Sequence, residues 1–264
     1  MRTLSGIGTL ALVAACLAPH VGSAQQAQAP SSLLGTGYVF PSAANAGGKF
    51  GISFRTKITL LNPGNDPITI QASLMTPDGS VAPRSIVLRQ ASFQTFDNFL
   101  LETFAFTGGA GILLVETTGS HPFLAVGEVY SEGTNSRSTT PLRAVFKDDA
   151  VVPFGSGAVS IVAGLRADGA NRANFGCANS SATTTTVHTN FWGYTNGDRS
   201  TGRLIFELGP GGWRQEAVPV TGDTIFAFAA LAAGETTPGV YCYGVNVNNA
   251  SGDGSMIPAV AFTP

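Results

Sequence analysis

Acid–base, nucleophilic or metal chemistry in this 264-residue chain would have to come from three histidines, three cysteines and sixteen acids. A serine or cysteine nucleophile needs a histidine base and a third group to orient it. His20 lies in an apolar leader, His121 and His188 stand in different halves of the chain, and no Gly-x-Ser-x-Gly elbow occurs. Neither His-Glu-x-x-His nor Cys-x-x-Cys is present, so zinc is not indicated and no metal ligand is assigned. The stretch Asn248–Asp253, with Ser251 and Gly252, offers oxygens of the kind calcium takes but a single carboxylate, and it reads as a turn. Glu116-Thr117-Thr118 and Glu235-Thr236-Thr237 form a repeated pair, which favours a structural role for these acids over an active site needed only once. The expectation is a non-enzymatic protein with no catalytic residue and no cofactor.

Aromatic rings are the stronger candidates for ligand contact. Trp192 and Tyr194 are two residues apart and share a strand face with His188 and Asn190, while Trp213 follows the glycine-rich turn Gly209–Gly212. Exposed rings of this kind stack on sugars, so Trp192, Tyr194 and Trp213 are the candidate ligand-binding residues. Register decides whether Trp192 is available, because a slip of one residue reverses the faces of a strand. An internal offset of 117 places Val187, Thr189 and Phe191 over Ile70, Ala72 and Leu74 and turns Trp192 outward. Aligning the turns Asp78-Gly79 and Asn196-Gly197 gives 118 and seats Trp192 in the core. A large aromatic in a sandwich is usually buried, which favours the second register.

The elements that must position these residues come from a repeat. Arg55 and Asn62 recur as Arg172 and Asn179, and Gly127 recurs as Gly244, all 117 residues apart, too long a period for a solenoid unit. The repeated Arg and Asn could hold an anion or a glycan, but an arginine bracing loops and an asparagine opening a turn is the favoured reading. Phe54, Thr56, Ile58 and Leu60 alternate with Arg55, Lys57 and Thr59, and Ile68, Ile70, Ala72 and Leu74 alternate likewise, which is strand periodicity. Asn62–Pro67, Pro77-Asp78-Gly79, Asn196-Gly197-Asp198 and Ser251–Gly254 supply turns. With 33 glycines, 15 prolines and scarcely any helical spacing, the expected fold is all-β, as two tandem immunoglobulin-like antiparallel β-sandwich domains. The expected layout is a signal peptide at 1–24, a polar tether at 25–34, and β-sandwich domains at 35–148 and 149–264.

Met1-Arg2, the apolar run to Leu17 and Gly22-Ser23-Ala24 read as an export signal. Val13-Ala14-Ala15-Cys16 offers a rival lipoprotein box, with anchoring through Cys16 the minority reading. No later segment gives about 20 apolar residues in a row, as a membrane helix requires. Removal of residues 1–24 takes one base, Arg2, and no acid, leaving 13 basic against 16 acidic groups and a formal charge of −3. That balance excludes the clustered Lys and Arg of a nucleic-acid or anionic-membrane footprint. Charged residues are only 11% of the chain, against roughly 25% in ordinary soluble domains. Cys177 and Cys242 remain as an even pair in an oxidising compartment and are expected to form a disulfide, matching Leu60 and Ala125 of the first copy. Cys177, Trp192 and Cys242 also follow the order of an immunoglobulin core, although Val240 stands where the corner tyrosine would be.

Arg55-Thr56 leading to Leu60-Leu61-Asn62-Pro63-Gly64, and Tyr243–Asp253 followed by Ile257-Pro258-Ala259, resemble a family of secreted bacterial tandem β-sandwich proteins of the type abundant in Acidobacteria. The resemblance implies export and a β fold and brings no activity with it. The functional expectation is an extracellular or cell-surface structural or adhesion protein, with a carbohydrate-binding module as the alternative. The expected partner is accordingly an extracellular glycan or a surface protein.

Overall fold

The computed structural model describes residues 34–47, 52–132, 137–142, 145–146, 159–235, 239–252 and 254–262. The expected export signal with Cys16 and His20, the tether up to residue 33, and Asp253 lie outside the described residues, as do Lys147, Asp148 and Asp149, the charged residues at the expected boundary between the two domains.

Alternating apolar residues and short turns produce strands almost throughout. The first half runs β1 (Gly37–Gly47), β2 (Ser53–Asn62), β3 (Ile68–Thr76), β4 (Gly79–Leu88), β5 (Ser92–Phe96), α1 (Phe99–Phe104), β6 (Gly109–Thr117), β7 (Leu124–Glu132), β8 (Arg137–Leu142) and β9 (Val145–Phe146). The second runs β10 (Val159–Ala167), β11 (Asn171–Asn179), β12 (Thr185–Thr195), β13 (Asp198–Leu208), β14 (Trp213–Ala217), β15 (Gly222–Leu231), β16 (Val240–Asn248), β17 (Gly254–Pro258) and β18 (Val260–Phe262). Among the described residues all strand pairings are antiparallel, and the fold is an all-β sandwich.

The halves are wired alike. In the second, one sheet has the order β13-β12-β15-β10-β18 and the other β14-β11-β16-β17. The first has the corresponding orders β4-β3-β6-β1-β9 and β5-β2-β7-β8, fused into one sheet where Asn45–Gly47 pairs with Ser53–Arg55. Facing sheets in each half enclose an apolar core, built around Phe40, Ile58, Leu74 and Phe99 in the first and Phe175, Phe191, Phe206 and Leu231 in the second.

Registers show which residues correspond. Leu60 pairs with Ala125 across β2 and β7, and Cys177 pairs with Cys242 across β11 and β16. The two sulfurs are bonded at 2.06 Å, with the Cα atoms 4.1 Å apart. The Cys242 carbonyl accepts from Ala259 on the other side of its strand, so the cysteine pair is the non-hydrogen-bonded kind that brings opposed residues closest. This bridge lies within one sheet, not between facing sheets as in an immunoglobulin core, and Trp192 does not pack on it. Closing its loop contributes about 4 kcal/mol in the chain-entropy model. Gly127 and Gly244 both sit where a Cβ would strike the core, 2.8 Å from Ile58 and Phe40 in one case and 2.4 Å from Leu165 in the other.

Asn62 and Asn179 are fully buried and perform the same task. The Asn62 amide donates to the carbonyls of Asp66 and Arg89, at 2.8 and 2.9 Å, while its Oδ1 accepts from Gly64 N–H. Asn179 donates to Thr183, Leu208 and Gly209 and accepts from Ser181 N–H. Each amide therefore ties the β2–β3 or β11–β12 turn to the end of the neighbouring hairpin. The arginines brace the surface: Arg55 pairs with Glu132 at 3.2 Å, and Arg172 donates to Asn249 Oδ1 at 3.0 Å.

Substituting Asn179 with Ala strips the buried Leu208 carbonyl and the part-buried carbonyls of Thr183 and Gly209 of a donor, and loss of about 2 kcal/mol in chemical denaturation is expected, with Asn62→Ala close behind. Conversely, the buried Thr189 hydroxyl lacks a hydrogen-bond partner, and Ala72 fills the matching place in the first half. Thr189→Val is expected to raise stability by about 1 kcal/mol in the same assay.

Candidate functional site

Titratable groups are dispersed. Among the described residues no three His, Cys, Asp or Glu side chains gather as a metal site requires. His121 is exposed in the β6–β7 connection, and His188 on β12 contacts the Arg203 guanidinium through Nδ1 at 2.6 Å. Glu116 lies on β6 at the place matched by Ala230 on β15, whereas Glu235 follows that strand and accepts from Thr186 N–H and the Thr185 hydroxyl. The two acids are therefore not structural counterparts, and Thr236 and Thr237 lie outside the described residues.

A cleft of about 440 Å³ beside α1 is lined by Asn45, Arg55, Asp97, Asn98, Glu102 and Tyr130, among others. Its polar groups are engaged in holding the fold. Asn98 caps α1 by accepting from Leu101 N–H, and the Glu102 carboxylate accepts from Asn98 N–H at 2.6 Å, a reciprocal capping arrangement. Asp97 pairs with Lys57 and Asn45 donates to the Phe106 carbonyl.

Trp213 belongs to a different place. The outer face of the β14-β11-β16-β17 sheet packs on the outer face of β3, β6 and β1, where Ala178, Tyr241 and Trp213 meet Val39, Met75, Ile112 and Leu114. The half-buried Trp213 indole donates to the Pro41 carbonyl and to the Tyr243 hydroxyl, both at 2.9 Å, and that hydroxyl donates onward to Gln215 Oε1. Tyr243 lies flat over Gly176, where a Cβ would come within 2.7 Å of its ring. Burial pushes the Tyr243 phenol far above its ordinary pKa, with hydrogen bonds to Ser42 and Trp213 opposing the shift, so it stays a proton donor across physiological pH. A cavity of about 310 Å³ adjoins this junction, walled by Phe54, Val129 and Leu142 on one side and Trp213, Val245 and Met256 on the other.

Trp192 and Tyr194 share the outer face of the β13-β12-β15-β10-β18 sheet. Trp192, which the favoured register seats in the core, instead points outward with 40% of its surface exposed, while Val187, Thr189 and Phe191 are buried. The reason lies in the hairpins. β12 and β13 pair without interruption and run two residues further past Phe191 than β3 runs past Leu74, whereas β4 carries a bulge in which Ala82 and Pro83 oppose Ser73. The turns are thus not equivalent landmarks. The three candidate rings do not form one platform, since Trp213 is in the junction and Trp192 and Tyr194 are on another sheet.

Neighbours that the sequence did not single out complete the outer face. Trp192 pairs across strands with Phe226, and their rings are joined by Phe228, whose centroid is 4.5 Å from that of Trp192. Tyr194 meets Phe226 edge-on at 6.2 Å, Arg199 stands 5.7 Å from the Trp192 ring, and Ile161 pairs with Phe228. The registers Val39–Leu114 and Met75–Ile112 in the first half correspond to Ile161–Phe228 and Trp192–Phe226 in the second. Val39, Met75 and Ile112, buried at the junction, and the half-buried Leu114 thus correspond to an exposed Trp192 and to half-buried Ile161, Phe226 and Phe228.

Trp213→Ala removes the ring that clamps the halves, and a loss of about 3 kcal/mol is expected, read by calorimetry together with faster amide exchange at Val39 and Ile112. Tyr243→Phe leaves Gln215 without its donor but keeps the Trp213–Pro41 bond, so a smaller loss of about 1 kcal/mol is expected.

No protein-family model matches this chain, and no curated protein is similar to it.

Proposed function

We propose that the protein is an exported, non-enzymatic structural or adhesion protein whose working surface is the outer face around Trp192, used to dock protein. The observation that carries this reading is the row Ile161, Trp192, Phe226 and Phe228, apolar on a face turned away from its own sandwich core. Trp192 is exposed and the other three are half-buried, and an apolar patch open to solvent in this way marks an association site. A disulfide within a lysine-poor β fold agrees with an oxidising compartment outside the cytoplasm. No described helix is long and apolar enough to cross a membrane.

A carbohydrate-binding module is the second reading. It is favoured by the exposure of Trp192 beside Tyr194, Asn190 and Arg199, a ring with hydrogen-bonding side chains near it. Trp213 is not part of such a platform, because its indole N–H is committed to Pro41 and Tyr243.

Mature protein carrying Trp192→Ala and Phe228→Ala, with its folding verified, is expected to lose about tenfold or more of its retention on the envelope of the producing cells, as two well-packed rings are removed. Wild-type protein is expected to pass a polysaccharide affinity gel without retardation. Retardation that Trp192→Ala abolishes would transfer the face to the sugar reading, and unchanged retention by the double variant would remove the face from both.

A further inference from the structure

The junction inside the chain is a template for a contact between chains. It sets the outer face of one sheet in the first half, through Val39, Met75, Ile112 and Leu114, against the outer face of the other sheet in the second, through Ala178, Trp213 and Tyr241. These are different faces, so the contact is head to tail, and each half keeps the face that the other half used. The open face of the second half is the Trp192 row. The open face of the first half is found by register: Leu61 pairs with Phe93 and Leu124 as Ala178 pairs with Trp213 and Tyr241. Val126 stands where Tyr243 stands. Phe93 is 71% exposed and Val126 51%, and with half-buried Leu61 and Leu124 they make one apolar patch on that face.

We infer that the protein self-associates head to tail, the Leu61, Phe93, Leu124 and Val126 face of one molecule docking on the Ile161, Trp192, Phe226 and Phe228 face of the next. This rests on the reading of the Trp192 face as a docking surface and names its partner as a second copy. Volume and charge both fit. At the internal junction aliphatic residues of the first half receive aromatic rings of the second. At the open faces the roles are exchanged, with aromatic Trp192, Phe226 and Phe228 facing mainly aliphatic Leu61, Leu124 and Val126. Beside the Val126 face stand Asp97 and Glu128 with Lys57, a net negative group, and along the Trp192 face stand Arg199 and Arg203 with Glu207, a net positive one. A heterologous contact that repeats gives an open row of copies, or a ring where its rotation closes.

Sedimentation velocity on the mature protein tests this directly. The average mass is expected to rise past the dimer as concentration increases, and a wild-type protein that stays monomeric at its solubility limit overturns the inference without any variant. Phe93→Glu with Val126→Glu blocks one face and Trp192→Glu the other, all at exposed positions, and each protein is expected to be monomeric alone. Mixed, they retain one intact face each and are expected to form a one-to-one heterodimer that grows no further. Association of either protein by itself, or no heterodimer in the mixture, overturns the inference. A monomeric protein still held by the cell envelope through Trp192 would leave the docking reading standing while removing the second copy as its partner.

Discussion

A strand offers alternate side chains to opposite faces, and a two-sheet sandwich buries only one face of each sheet. Everything else in this molecule follows from how the remaining faces are treated. In an ordinary antiparallel sandwich they are polar, as on β3 in this chain, where Thr69, Gln71 and Ser73 alternate with buried Ile70, Ala72 and Leu74. Here the polarity gives way toward the centre of several sheets: Val39, Met75, Ile112 and Leu114 form a second apolar surface behind the first core. Water cannot be the permanent neighbour of such a surface at about 25 cal/mol per Å². Packing the second half on it is the solution the chain adopts, and Leu34–Pro264 is accordingly one compact unit.

Apolar contact alone would not fix how the halves meet, since sheet faces slide. The Trp213 indole supplies the orientation by donating to the Pro41 carbonyl of the first half and to Tyr243 of its own. Pro41 cannot donate a backbone hydrogen bond, and it falls where β1 breaks register between Phe40 and Ala43, so its carbonyl is free of the regular ladder and available to the indole. The phenol of Tyr243 is buried and must be satisfied, which ties Gln215 and Ser42 into the same network. One irregularity in β1 thus sets the registration of two sheets.

Local chemistry was legible in the sequence wherever the spacing between corresponding positions of the two halves is unchanged. Asn62 and Asn179, Gly127 and Gly244, and the pairing of the two cysteines all sit on the strands that keep the offset of 117, and each occupies the same place in both halves. The spacing fails where α1 and its connections lengthen the first half, so Glu116 and Glu235 share letters without sharing a position. It fails again at the β12–β13 turn, which lies beyond the matching turn of β3 and β4 and seats Trp192 in the core if used as a landmark. The candidate face was hidden for a related reason. In Ile225-Phe226-Ala227-Phe228-Ala229 both sets of alternating residues are apolar, and hydrophobicity would put the phenylalanines inside, whereas the small alanines pack in the core and the rings lie outside. Apolar residues on both faces leave the inward side undecided until the pairing is known.

Association through faces is also what the edges permit. A sheet edge with unpaired backbone invites strand addition unless it is bulged or charged. β4 carries its bulge at Ala82-Pro83 with Arg84 beside it, β13 carries Arg199, Arg203 and Glu207, and β14 carries Arg214 and Glu216. In a chain with only 11% charged residues, placing so many of them on edge strands is an allocation with a consequence. Edge-to-edge growth is obstructed, while the broad faces around Trp192 and Phe93 are apolar at their centres, with Arg199 reaching over the Trp192 ring. The distribution discourages the β-sheet extension that leads to fibrous aggregates and leaves open the face-to-face contact already used once within the molecule.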